Sequence, residues 1–139
     1  MLLHASCVAL DDKGLLLTGA PGAGKSDLAL RLIDSGAQLV SDDQTFLTYE
    51  NGVLCASPPA TIEGMMEIRH IGLVKMPFVS NIPIAIIVEL AGFGEELERL
   101  PEPDFVFLLD QRVQRLRLPA FAASTPAKIR AALAYATVL

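Results

Sequence analysis

Residues Gly19-Ala20-Pro21-Gly22-Ala23-Gly24-Lys25-Ser26 follow the pattern G-x-x-x-x-G-K-S, and each residue type in it suits the binding of a polyphosphate. Glycines let successive backbone N–H groups turn inward around an anion, because no Cβ blocks the approach. A helix starting at the end of the loop aims the positive end of its dipole at the same anion. Lys25 supplies a mobile ammonium for the outer phosphates, and the hydroxyl of Ser26 suits a Mg²⁺ ligand.

A second group with chemistry in it is Asp42-Asp43. In phosphoryl-transfer sites a carboxylate at the end of a neighbouring strand holds Mg²⁺, and a second one takes the proton from an attacking hydroxyl. Adjacent carboxylates repel, which favours a base in one of them. A solvated turn is the plain alternative for two aspartates, and the phosphate loop upstream favours the functional reading. Arg99 is suited to stabilising charge on a transferred phosphoryl group, yet beside Glu95, Glu96 and Glu98 it also reads as a surface residue. Glu67 and Arg69 fit either an ion pair or a site. His4 and His70 carry no signal of their own.

These residues need elements to hold them. Leu15-Leu16-Leu17-Thr18 reads as a strand before the loop, and Asp27-Leu28-Ala29-Leu30-Arg31-Leu32-Ile33 as the amphipathic helix after it. Strand, glycine loop and helix form the context the motif requires. The helix is expected over residues 24–34, with Gly36 at its C-terminal cap. Residues 1–10 read as a strand containing His4, followed by a turn at Asp11-Asp12-Lys13-Gly14. A short strand at 38–41 leads into Asp42-Asp43. Residues 45–49 and 53–56 form a hairpin around Glu50-Asn51-Gly52, and Pro58-Pro59 ends it. Residues 61–74 read as irregular. Residues 84–90 are the strongest strand, 92–103 a polar loop or short helix, and 105–109 and 113–118 two further strands. A terminal helix is expected over 125–138, capped by Ser124 or Thr125, with Pro126 in its first turn. Many short strands with two helices point to an α/β chain built on a mixed sheet around a phosphate-binding core, rather than a regularly alternating doubly wound sheet.

With 139 residues the chain is expected to form a single domain, and 52% hydrophobic against 19% charged residues is a globular balance. No apolar run reaches the roughly 18 residues of a membrane helix, and no secretory signal is visible. Cys7 and Cys55 form no C-x-x-C pair, and inert core thiols in a cytoplasmic protein are the expectation. A net charge of −5 and no Lys/Arg cluster exclude nucleic acid as a main partner.

Taken in order, His4-Ala5-Ser6, Leu16-Leu17-Thr18-Gly19, Gly24-Lys25-Ser26, Leu39-Val40-Ser41-Asp42-Asp43, Glu67-Ile68-Arg69-x-Ile71-Gly72 and Glu98-Arg99-Leu100 resemble the catalytic domain of HPr kinase/phosphorylase. The resemblance spans roughly residues 3–118. It implies a fold of the HPr kinase and PEP-carboxykinase-like kind, ATP and Mg²⁺ as cofactors, and a serine of the phosphocarrier HPr as acceptor. Gly19 to Ser26 would bind ATP, with Ser26, Asp42 and Glu67 around Mg²⁺. Asp43 resembles the proton acceptor and Arg99 a catalytic arginine. His4 would hydrogen-bond near the aspartates, and residues 66–75 resemble a segment both activities need. The chain starts just before His4, which implies a short form lacking the family's N-terminal domain. Where the family carries a basic, glycine-containing loop for the reverse reaction, this chain has Leu118-Pro119-Ala120-Phe121-Ala122-Ala123-Ser124, a departure at the residues on which phosphorolysis would rest, which leaves that activity open. It implies a homo-oligomer, hexameric in longer relatives, although the C-terminal helices that help build that hexamer are not in this sequence.

Two other classes compete. A small-molecule kinase on the same loop would need an acceptor pocket and usually a helical lid. A nucleotide-dependent regulatory module would need a water-positioning residue and switch segments. The Asp42-Asp43 pair fits hydroxyl activation better than either.

Overall fold

The computed structural model describes residues 1–135. In chain order it contains β1 (Leu2–Leu3), β2 (Ser6–Leu10), β3 (Lys13–Thr18), α1 (Lys25–Asp34), β4 (Gln38–Ser41), β5 (Thr45–Glu50) and β6 (Val53–Ser57). A 3₁₀ turn (Ala60–Ile62) follows, then β7 (Met65–Ile68), β8 (Gly72–Lys75), β9 (Ile82–Leu90), β10 (Phe105–Leu108), β11 (Gln111–Leu118) and α2 (Thr125–Ala134).

The chain is a mixed α/β protein with a large curled sheet. Nine strands form one sheet in the order β1-β5-β6-β9-β3-β2-β4, with β11 joining at β9 and β10 at β11. The long strand β9 is the hinge of this arrangement. One side pairs in parallel with β3 along Gly14–Thr18, and the other side is shared. Its start pairs antiparallel with β6 and its end pairs in parallel with β11. Gly14 allows the β3–β9 approach, since a Cβ there would lie 2.8 Å from the Pro83 carbonyl oxygen.

Alternation along the strands explains why Leu15, Leu16 and Leu17 are all buried. Leu15 and Leu17 point, with Val8, Ile86, Val88 and Leu90, into a core shared with Leu28, Ala29 and Leu32 of α1 and Ile129 of α2. Leu16 points the other way, with Cys7, Ala9 and Ile87, into a second core. There the curled sheet brings Leu47, Leu54, Leu108 and Val113 over its own face. A strand covered on both faces reads as an unbroken apolar run.

Strand direction sets where the site lies. β3, β9 and β11 run parallel, so their C-terminal ends share one edge. β2 runs antiparallel to both β3 and β4, so β4 also ends there and β2 begins there. The phosphate loop after β3, Asp42-Asp43 after β4 and Ser6 at the start of β2 thus meet at one edge. Crevices at the carboxyl ends of parallel strands are where open α/β sheets bind ligands.

Helix α1 stops at Ser35, and Gly36 at φ +114° donates its N–H to the Ile33 carbonyl, as its position at the cap predicts. Arg130 of α2 donates to the Ser35 carbonyl and hydroxyl, fixing α2 against that helix end. No helix among the described residues is long and apolar enough to cross a membrane.

Three expected boundaries differ. The strand over 1–10 is broken at His4-Ala5, because β1 pairs with β5 whereas β2 pairs with β3 and β4. Residues 61–74 are not irregular: β7 and β8 form a two-stranded hairpin turned by His70 at φ +73° and Gly72. The 92–103 segment takes the loop form of the two expected for it, with no helix or strand. The terminal helix expected over 125–138 is seen over Thr125–Ala134 and ends there, with Tyr135 extended, while 136–138 lie outside the described residues.

Candidate active site

The loop between β3 and α1 has the form its sequence requires. Gly24, at φ +106°, is the N-cap of α1, and the first ladder bond runs from Leu28 N–H to the Gly24 carbonyl. A side chain at this position would be strained. The N–H groups of the first helical turn are left for a ligand. Lys25 folds back over the loop, its Nζ donating to the carbonyls of Gly19 at 3.1 Å and Ala20 at 3.4 Å.

Asp42 joins the separate elements. It is 7% exposed. Its Oδ1 accepts from the Ser26 hydroxyl at 2.7 Å and from the Ser6 hydroxyl at 2.8 Å. Its Oδ2 accepts from the backbone N–H of Glu67 at 3.3 Å. Three donors from three elements satisfy a carboxylate that burial would otherwise penalise. The phosphate loop, strand β2 and the β7–β8 hairpin are thereby tied to one side chain.

Asp43 is placed differently. It is exposed, sits at φ +69°, and donates its backbone N–H to Ser6 Oγ at 3.1 Å. Asp tolerates this left-handed conformation better than most residues. The turn therefore drives one carboxylate inward and leaves its neighbour facing solvent beside the loop. Ser6 was not singled out by residue chemistry, although a serine within an apolar strand is a signal, since a buried hydroxyl needs a partner.

The remaining expected residues lie less centrally. His4 is exposed in the break between β1 and β2 and makes no hydrogen bond among the described residues. The bond toward the aspartates that the resemblance implied for it is made by Ser6. Glu67 reaches Asp42 through its main chain, and its side chain is exposed. Arg99 is exposed in the 91–104 connection, with no hydrogen bond or ion pair among the described residues.

An ion-pair cluster braces that connection. Arg115 Nε contacts Asp104 at 2.7 Å, and Arg117 pairs with Glu89 at 2.8 Å and with Glu95. The Arg117 guanidinium and the Gly92 N–H hold the Glu95 carboxyl below the usual carboxylate range, and Arg115 does the same for Asp104. Both cysteines are free, and burial pushes the Cys7 thiol well up, as an inert core thiol requires.

A glycine loop at the N-terminus of α1 and the oxygens of Ser26 and Asp42 lie together at this edge of the sheet. A hydroxyl and a carboxylate 2.7 Å apart suit Mg²⁺, which is usually held by one or two carboxylates plus substrate phosphates. No group of three His, Cys, Asp or Glu side chains that could hold a metal occurs among the described residues.

The sequence model described as "HPr Serine kinase C-terminal domain" matches residues 1–138. A Clostridium acetobutylicum protein named HPr kinase/phosphorylase is 32% identical over 127 residues, covering 84% of this chain and 42% of the relative. A Geobacillus protein of the same name is 34% identical over 128 residues, covering 84% and 41%. The chain thus spans about two fifths of the length of these curated relatives. Among solved structures, the Hpr(Ser) kinase/phosphatase from Coxiella burnetii superposes with a TM-score of 0.84 at 28% identity, covering 96% of this chain and 88% of that one. A match that runs across the phosphate loop, the paired aspartates and both flanking strands, together with a shared fold, places this chain in the HPr serine kinase C-terminal domain family.

Proposed function

We propose that this chain is an ATP- and Mg²⁺-dependent protein kinase that phosphorylates a seryl residue of the phosphocarrier HPr. The observation that carries the reading is the 2.7 Å bond between Ser26 and Asp42, with exposed Asp43 next in sequence. An oxygen pair of the kind that suits Mg²⁺ and an exposed carboxylate at one edge of the sheet, beside a glycine loop of polyphosphate-binding type, support the reading. The names of the relatives support the kinase class and the acceptor.

The loop and the N-terminus of α1 bind the triphosphate, and Lys25 leaves the Gly19 and Ala20 carbonyls to pair with its outer oxygens. Ser26 and Asp42 are the residues that would hold Mg²⁺, which neutralises charge on the phosphates when bound. Asp43 accepts the proton of the seryl hydroxyl as its oxygen bonds to the γ-phosphorus. The bond from that phosphorus to the bridging oxygen breaks, and ADP leaves with the electron pair. Ser6 holds the backbone of Asp43 and thereby fixes where its carboxylate starts. Arg99, Glu67 and His4 are assigned supporting roles: charge stabilisation, metal binding and a place in the active site near the aspartates. The reading is confined to the kinase direction, because 118–124 carries no Lys or Arg to receive a free phosphate. It includes a single catalytic domain in the cytoplasm with neither nucleic acid nor membrane as partner, in keeping with a net charge of −5. It also includes a homo-oligomer, for which the exposed Phe105 and Phe107 on the edge strand β10 offer an apolar face.

The test is incubation with γ-labelled ATP, Mg²⁺ and HPr from the same cell, followed by mapping of the modified residue. Label on a serine of HPr is the expected result. Label on a small molecule, or none on HPr at any Mg²⁺ concentration, overturns the reading.

A further inference from the structure

The segment after β11 bends directly onto the phosphate loop. A Cβ built on Gly24 would lie 2.7 Å from Cζ and 3.1 Å from Cε1 of Phe121, and 3.1 Å from Cβ of Ala120. The Phe121 ring therefore touches the backbone at the very start of α1, and yet the residue is 68% exposed. One edge rests on the loop and a face is left to solvent.

The segment is braced from several directions. Arg31 of α1 donates to the Ala120 carbonyl, and Thr125 Oγ1 donates to the Pro119 carbonyl. Ala91 N–H donates to the Leu118 carbonyl, and Thr125 N–H to the Ala122 carbonyl. Ala120 is buried beneath the bend. Unlike the exposed Phe93, Phe121 is presented by a main chain braced by four hydrogen bonds and lies against the phosphate loop. The segment has no Lys or Arg and brings no charge to a phosphate. What it brings is a π face beside the end of the cradle. Every nucleobase has a matching face, and stacking on an aromatic side chain is a sequence-tolerant source of affinity.

We propose that Phe121 is the stacking platform for the base of the phosphoryl donor, which makes the donor a nucleoside triphosphate rather than a bare inorganic polyphosphate. This rests on the reading of residues 19–26 as the polyphosphate cradle. The contact is made at Gly24, the last glycine of the loop, and most of the residue stays exposed beside it. Phe121 is a specificity-determining residue on this account: it selects the donor and takes no part in bond making.

The experiment is calorimetric titration of the full chain with two ligands, a non-hydrolysable ATP analogue with Mg²⁺ and inorganic tripolyphosphate with Mg²⁺. The proteins are wild type, Phe121→Leu and Phe121→Tyr. Leucine keeps apolar bulk against Gly24 and removes the π face, while tyrosine restores it. The expected result is nucleotide affinity about tenfold or more weaker in Phe121→Leu, recovered in Phe121→Tyr, with tripolyphosphate affinity equal in all three. Equal changes for both ligands, including no change, overturn the proposal, as does a Phe121→Leu effect confined to the KM for the acceptor protein. Should tripolyphosphate bind too weakly to titrate, loss in Phe121→Leu with recovery in Phe121→Tyr decides for the proposal, and any other pattern decides against it. A wild-type protein that takes up neither ligand refutes the cradle itself, and this inference with it. A wild type that binds both ligands while Phe121→Leu loses nothing refutes the stacking role alone.

Discussion

Ser26, the last residue of the phosphate loop, donates its hydroxyl to Oδ1 of Asp42 at 2.7 Å. Two stretches distant in sequence are joined by that bond, and the same carboxylate also accepts from Ser6 and from the Glu67 backbone. Asp42 is thus both a structural tie and the charge that the loop hydroxyl faces.

Removing the tie has a measurable cost. In Asp42→Ala the buried Ser6 hydroxyl, the Ser26 hydroxyl and the Glu67 N–H all lose their acceptor. The expected loss is about 1–3 kcal/mol of unfolding free energy, the cost of stranding buried polar groups. Asp42→Asn, which keeps an acceptor oxygen, should lose less stability. Both variants should lose the Mg²⁺ dependence of nucleotide binding. Urea unfolding midpoints measure the first effect and titration with and without Mg²⁺ the second. An Asp42→Ala midpoint equal to wild type would refute the structural tie.

Asp43 is expected to behave in the opposite way. Its side chain is solvent-facing, and the residue sits at φ +69°, where asparagine is tolerated and alanine is strained. Asp43→Asn should therefore keep the wild-type melting temperature and nucleotide affinity. Its phosphoryl transfer rate should fall by about 10²–10⁴-fold, the usual contribution of a general base. Transfer at the wild-type rate in this variant removes Asp43 from the chemistry.

Lys25 makes two bonds, both to carbonyls of its own loop and one of them exposed. Lys25→Ala should leave thermal stability almost unchanged and weaken binding of an ATP analogue by about tenfold or more, by loss of an ammonium–phosphate contact. Unchanged affinity, measured by the same titration, contradicts the cradle assignment.

Gly64 lies at the foot of the β7–β8 hairpin at φ +70°, and a Cβ there would fall 2.7 Å from the Met76 carbonyl oxygen. Left-handed strain alone costs an ordinary residue about 1–2 kcal/mol, and a rigid backbone neighbour adds to it. Gly64→Ala should lower the melting temperature and, by shifting the Glu67 N–H that reaches Asp42, weaken Mg²⁺-dependent nucleotide binding. An unaltered melting curve would show that the hairpin accommodates the methyl group.

The Glu95–Arg117 pair predicts a pH effect with a definite sign. Arg117 and the Gly92 N–H hold the Glu95 carboxyl below its ordinary value, so the folded state binds this proton less readily than the unfolded chain. The contribution is therefore present above the ordinary glutamate pKa of about 4.3, and is lost as pH falls through the lower folded value. Limited proteolysis within 91–104 at low salt should show wild type better protected than Glu95→Gln at neutral pH. The two should converge as wild type loses protection in acid. Added salt should shrink the difference, since the pair is exposed. Equal protection at neutral pH and low salt would show that the pair does not brace the connection.

The loop, its flanking strand and its helix were legible because each is fixed by local chemistry: a glycine pattern, a short apolar run and a 3.6-residue period. The 45–57 hairpin was legible from Asn51-Gly52, which sits at φ +52° and +78° as a tight turn needs. The β7–β8 hairpin was not, because Met65–Ile68 and Gly72–Lys75 lack clean alternation, with Leu73 exposed on β8 and Ile71 exposed in the turn. The break at His4-Ala5 was hidden for a related reason. Nothing local distinguishes one strand of ten residues from two strands that choose different partners.

By itself, the sequence determined which residues carry oxygen donors and charge, and that a glycine loop and a helix follow a buried strand. Only the tertiary structure decided that Asp42 turns inward while Asp43 faces out, that Ser6 rather than His4 makes the bonds at the aspartates, and that Phe121 rests on Gly24. The physical reason is strand direction and register. Parallel pairing of β3, β9 and β11 brings their ends to one edge, and a register is set by packing across the whole sheet, which no local window contains.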